Sequence, residues 1–209
     1  MKKLILLTFV LTFTFFSNAQ DYDIPEYAQD SKAQYSKAYI AIGIGLAVPG
    51  GEGLEDYKSG INFKLFDFGY RFTQNLGLTF GIDSSGILYD DSDIDAAIGI
   101  ARFSVGPMFT VPFGGNISLD IKPKYAFRMV GVFRGGDVSQ DLEDITLTGS
   151  SFVFANSLVF KLTKGFTFCI NLDYTFGKFN KAEFDGDSED IDGNKINIFT
   201  IGAGVRYNF

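Results

Sequence analysis

Phe166-Thr167-Phe168-Cys169-Ile170-Asn171-Leu172-Asp173-Tyr174-Thr175-Phe176 alternates without a fault. Every even position is large and apolar, and every odd position is small or polar. Successive side chains of a β-strand point to opposite faces, so period two predicts a strand with one apolar and one mixed face. A helix would need apolar residues three and four apart.

The pattern recurs along the chain. The last segment, Phe199–Phe209, sets Phe199, Ile201, Ala203, Val205, Tyr207 and Phe209 against Thr200, Gly202, Gly204, Arg206 and Asn208. The first sets Ile40, Ile42, Ile44 and Leu46 against Ala41, Gly43 and Gly45. Similar stretches run over about Ile61–Phe72, Leu76–Ile82, Ile98–Val111, Ile117–Met129 and Phe152–Leu162, which predicts eight strands. Three connections are tight: Thr73–Asn75, Pro112–Asn116 with Gly114-Gly115, and Thr163–Gly165. The other four are long: Val48–Gly60, Ser84–Ala97, the 130s to Ser150, and Gly177–Lys195. Short turns on one side and long loops on the other, over an even strand count, predict an all-β fold. It is an eight-stranded antiparallel transmembrane β-barrel with short periplasmic turns and long extracellular loops.

Alternation alone leaves open which face looks outward, since a soluble barrel would hide its apolar face inside. Three features point to lipid outside. The mixed face is rich in glycine (Gly43, Gly45, Gly69, Gly81, Gly106, Gly202, Gly204), and the interior of eight strands has room only for side chains. Its charges have both signs: Asp67, Asp83, Asp120 and Asp173 with Arg71, Arg102, Lys122, Lys124, Arg128, Lys161 and Arg206. Buried charges need such partners. Bulky fillers on the same face are Leu65, Met108, Val153, Val159 and Ile198. Aromatic residues gather near strand ends of the apolar face, at Tyr70, Phe72, Phe109, Phe160, Phe166, Tyr174, Phe176 and Tyr207, as in interfacial girdles.

The beginning of the chain supports export. Lys2 and Lys3 precede the apolar run Leu4–Phe16, and Ser17-Asn18-Ala19 supplies small residues before Gln20. Residues 1–19 therefore read as a cleaved signal peptide, too short for a membrane-crossing helix of about 20 residues. Residues 20–37 read as a polar periplasmic tail, and residues 38–209 as the barrel. Without the signal, 16 basic residues face 25 acidic ones. That balance argues against nucleic acid as a partner, because phosphate backbones take clustered Lys and Arg.

With eight amphipathic strands and the ending Gly202-Ala203-Gly204-Val205-Arg206-Tyr207-Asn208-Phe209, the chain resembles small outer-membrane barrels of the OmpA/OmpX/OmpW kind. Val105-Gly106-Pro107 and Ile121-Lys122-Pro123 resemble the outer-membrane barrel domains of Bacteroidetes, some of them PorT-like. The resemblance implies a Gram-negative outer-membrane location. It also implies recognition by barrel-assembly machinery of the C-terminal strand ending at Phe209, with outer-membrane lipid and lipopolysaccharide as surroundings. A monomer is expected.

The chain has no histidine, which removes Ser-His-Asp and Cys-His catalysis and His-ligated metals. The reading is therefore non-enzymatic, with no catalytic, cofactor or metal residues assigned. Cys169 reads as a small buried hydrophobe. The long loops hold 17 acids against Lys58, Arg134, Lys178, Lys181 and Lys195. Asp91-x-Asp93-x-Asp95 begins like a calcium loop, but Ala96 stands where glycine is needed and Arg102 where the closing Glu is needed. Starting at Asp185, Asp190 and Ile196 break the pattern in the same way. Pro107 and Pro123 fall nearly opposite one another on the apolar face and read as a wall-shaping irregularity, with a lateral opening as the functional alternative. The leading function is an envelope-structural or surface-interaction role through the acidic loops. The alternatives are a narrow pore or a passage for small hydrophobic molecules, and a PorT-like accessory role in protein secretion.

Overall fold

All eight alternating segments are strands, and in the computed structural model they close on one another. The structure describes residues 36–51, 53–89, 97–134, 145–184, 187–193 and 195–209. The expected signal peptide and nearly all of the polar tail lie outside these residues, as do the acids at 90–95 that begin like a calcium loop.

The strands are β1 (Ala38–Gly50), β2 (Tyr57–Arg71), β3 (Leu76–Tyr89), β4 (Ala97–Gly114), β5 (Ile117–Arg134), β6 (Ile145–Lys161), β7 (Phe166–Phe184), β8 (Asp187–Asp190) and β9 (Lys195–Asn208). Neighbours from β1 to β7 pair antiparallel in sequence order, and β9 pairs with both β7 and β1, which closes a ring of eight. The short β8 pairs only with β7, as a hairpin above the ring.

The strands extend well past the expected loop boundaries. β7 has 19 residues and runs on to Phe184, and β3 reaches Tyr89. Alternation ends where the outward face leaves lipid, but backbone pairing continues above it. Much of what reads as loop is therefore strand.

The tight turns behave as expected. The Thr73 hydroxyl accepts from the Leu76 amide at 3.0 Å, and Thr163 accepts from the Phe166 amide at 3.0 Å, so two turns use the same device. Gly114 and Gly115 have φ of 91° and 59°, a backbone that L side chains rarely adopt, and they form the third.

Which way each strand faces is now explicit. Ile42, Ile44, Phe63, Leu78, Phe154, Phe166, Leu172 and Val205 are exposed on the outside, while Lys122, Asp120 and Arg206 are buried inside. A soluble exterior does not carry so continuous an apolar surface. On β7 the outward apolar run from Phe166 to Phe176 rises about 33 Å along the strand, or about 25 Å after the usual tilt, which matches a bilayer's apolar band.

Two of the β-bulges, in β2 and β5, change the expected facing of charged and apolar residues. In β2 the register shifts between Lys64 and Phe66, so Leu65 and Phe66 both point outward. Leu65 is 57% exposed and is not a lumen filler, whereas Lys64 turns inward to 8%. In β5 a shift between Ala126 and Met129 turns Phe127 and Arg128 both outward and Met129 inward. Arg128 therefore leaves the inward set. Lys161, at the turn end of β6, is exposed as well.

Candidate functional site: the sealed lumen and the loop face

Glycine on the inner face makes room for what fills the lumen. Tyr39 enters from β1 directly opposite Gly69 of β2, and a Cβ at Gly69 would overlap the Tyr39 ring. The ring is fully buried and lies under the Arg206 guanidinium, 3.7 Å from its centroid, with Arg71 at 5.6 Å. Cation–π contacts of this kind gain strength when desolvated.

Two aspartates organise the charges around this ring. Asp120 accepts from Arg206 at 2.7 Å, from Arg71 at 3.3 Å and from the Thr110 hydroxyl at 2.7 Å. Asp67 accepts from Lys122 at 2.7 Å, Lys124 at 2.8 Å, Thr79 at 3.1 Å and the Tyr39 hydroxyl at 3.3 Å. Nearer the loops, Asp83 takes the Arg102 guanidinium, which also donates to Thr175 and Ser85 at 3.1 Å. Asp173 pairs with Lys64 at 2.9 Å. The lattice links strands on opposite sides of the barrel, since Arg102 on β4 reaches Thr175 on β7. Beside Lys64 and Asp173, residues of β1 and β9 that include Gly43, Gly45 and Gly202 border a cavity of about 10 Å³, the room of one water.

Above the charges the inner face becomes apolar. Ile87, Ile98, Ile100, Met129, Ile196 and Ile198 pack into one layer, with Phe179 and Ala47 at its margin. Leu54, from the loop between β1 and β2, drops into the layer and is 2% exposed. The loop is tied down where the Gly53 amide donates to the Lys195 carbonyl at 3.1 Å and the Leu54 amide donates to Gly51 at 3.0 Å. The lumen is thus cross-linked through its polar length and stoppered at its loop end.

Sequence reasoning identifies nine of the ten lumen charges among the described residues and misses Lys64. The surplus is two cations rather than three. Tyr39 is also missed, and of the apolar layer only Ile198 is anticipated. The parity of Tyr39 with Ala41 and Gly43, and of Ile196 with Ile198 and Thr200, is the signal that could have found Tyr39 and Ile196. Val153, Val159 and Cys169 are buried as expected.

Pro107 and Pro123 face one another, between the paired residues Val105↔Tyr125 and Phe109↔Ile121. A Cβ at Gly106 would strike the Pro123 carbonyl, so the strands are pressed together there. That is the geometry of a shaped wall. Phe209 points outward at 55% exposure, and its amide and carbonyl pair with Ala38 at 3.0 and 3.3 Å, fastening the end of the chain to its first strand.

On the loop face, Glu55, Asp56, Glu183, Asp187, Glu189, Asp190 and Asp192 are all exposed. The β7–β8 hairpin carries four of them beyond the apolar band. No group of three or more His, Cys, Asp or Glu side chains able to hold a metal occurs among the described residues. Asp185, the start of the second calcium-like stretch, lies outside them.

No protein-family model matches the chain, and comparison of its sequence with curated proteins finds no match. Solved structures do match in shape. Neisserial surface protein A superposes with a TM-score of 0.52 at 13% identity, over 83% of this chain and 98% of its own. Ail, the attachment invasion locus protein of Yersinia pestis, in complex with the heparin analogue sucrose octasulfate, gives 0.51 at 18% identity, over 82% and 99%. A major outer membrane protein from Thermus thermophilus gives 0.50 at 11%, over 82% and 99%. The ring of eight strands, the filled lumen and these likenesses agree: the chain has the fold of the small outer-membrane β-barrels, of the OmpA/OmpX kind.

Proposed function

We propose that this chain is an exported, non-enzymatic protein of the outer membrane, and that its sealed barrel presents an acidic platform to a cationic partner outside the cell. The observation that carries this is the β7–β8 hairpin. It lifts Glu183, Asp187, Glu189 and Asp190 above the lipid band on paired backbone, so the charge is held in place. A filled lumen leaves the loop face as the accessible surface. Opposite charge steers and orients a partner more than it adds raw affinity. The polyanion seen with Ail does not carry over, because the acidic loops here bear the same sign of charge as that ligand.

The test is binding of a basic polypeptide, such as oligolysine, to the protein in phosphatidylcholine nanodiscs at low and high salt. Binding should weaken steeply with salt and fall several-fold in Asp187→Asn/Glu189→Gln/Asp190→Asn. Salt-independent binding that the triple variant keeps would overturn the reading. A transport role is the second reading, favoured by the two surplus cations of the lumen, which would give an anion path. Planar-bilayer recording separates the two.

A further inference from the structure

The outer surface carries a row of cations where the apolar band ends. Along β7 the outward residues are Phe166, Phe168, Ile170, Leu172, Tyr174 and Phe176, and the next one outward is Lys178. Register places Lys178 directly opposite Lys195 of β9 and opposite Ser150 of β6. On the far side of Ser150 stands Arg128, turned outward by the β5 bulge between Ala126 and Met129. Arg128, Lys178 and Lys195 are all exposed.

Immediately beneath lies an aromatic shelf. Tyr125, Phe152 and Phe176 occupy one cross-strand row, with ring centroids 5.1 and 5.6 Å apart. We propose that this row is a headgroup site for a phosphate-bearing lipid of the outer leaflet: Arg128, Lys178 and Lys195 hold the phosphate, Ser150 donates to it, and the shelf carries the acyl chains. The inference rests on the outer-membrane placement but not on the loop partner.

Four physical arguments support it. Like charges directly across a strand pair repel, and Lys178 and Lys195 are such a pair, so an anion between them relieves the repulsion. Among the described residues none of the three side chains makes an ion pair or hydrogen bond, whereas Lys181, one turn of the pleat higher, has Asp190 at 4.0 Å. Cations on the lipid face are costly at the midplane and nearly free at the interface, which fixes the height of the row at the headgroups. With adjacent strands about 4.8 Å apart, Arg128 and Lys178 are spaced to straddle one phosphate group or two neighbouring ones.

The full-length protein is reconstituted in phosphatidylcholine nanodiscs containing either a bis-phosphorylated glycolipid or its dephosphorylated form, and lipid retained after extraction is counted by native mass spectrometry. The phosphorylated lipid should be retained about tenfold or more over the dephosphorylated one, in line with the roughly fivefold that each basic residue contributes at an anionic surface. Arg128→Gln/Lys178→Gln/Lys195→Gln should abolish the preference, and Lys178→Gln alone, an exposed change that leaves the fold intact, should reduce it. Lys161→Gln/Lys164→Gln, at the turn end, should not. Glycerol phosphate, which lacks acyl chains, should fail to displace the lipid. Absence of a preference, its survival in the triple and single variants, or full displacement by glycerol phosphate would each overturn the proposal.

Discussion

Tyr39 and Gly69 depend on one another. The ring occupies the space that a Gly69 side chain would take, and its far face is closed by Arg206. Gly69→Val should therefore destabilise the barrel by about 1–3 kcal/mol, the usual cost of overpacking a filled core. Gly86→Val is the matched control, since a Cβ there meets nothing within 4 Å. Urea unfolding followed by the mobility shift between unheated and boiled protein on gels measures both, and equal midpoints would contradict the interlock. The parity of Tyr39 is readable in the sequence. Its partner is not, because pairing it with Gly69 requires the register of β1 on β2, which one strand's alternation does not contain.

Bulges decide how far a strand's pattern can be trusted. Lys64 and Asp67 are three residues apart, and in a regular strand that spacing puts them on opposite faces. Both are inward here because the extra residue at Leu65-Phe66 resets the count. Two charges at odd spacing with an apolar pair between them is a signature that could have revealed it. Arg128 offers no such clue: its parity matches Lys124, and only the backbone shows that it has turned out. The faces of β9, and of β7 from Phe166 to Lys178, without bulges in their pairing with one another, follow the sequence pattern. The same logic gives a prediction. Leu65→Arg should cost about 2–4 kcal/mol, as for a charge against hydrocarbon near the midplane, although strict alternation would place it harmlessly among lumen charges. Unfolding of Leu65→Arg in parallel with Ile170→Arg checks it, and a neutral Leu65→Arg would refute the bulge. At the seam, deleting Phe209 removes two backbone hydrogen bonds to Ala38 and the outermost ring of the Phe166–Tyr207–Phe209 cluster. Cell fractionation should then show much less protein in the membrane, and wild-type levels would argue against a role for this residue in assembly.

Across the whole molecule the lumen has two layers that resist ions in different ways. Toward the turns, four aspartates hold six cations, and Asp67 and Asp120 each bind two of them with hydroxyl groups taking further lone pairs. Drawing any one group out of this lattice strands a buried charge, at a cost of several kcal/mol. Toward the loops, isoleucines and Met129 close around Leu54 as an apolar layer that offers a poor exchange for an ion's hydration. Eight strands enclose only enough room for such fillers. We therefore expect no conductance from folded protein in planar bilayers. Leu54→Gly should stay silent too, because lifting the stopper leaves the charge lattice beneath it intact. Stable steps from the wild type would show that the lattice opens, and anion selectivity would assign the path to its two surplus cations. Steps confined to Leu54→Gly would instead place the whole barrier in the apolar layer, and make the loop between β1 and β2 a gate.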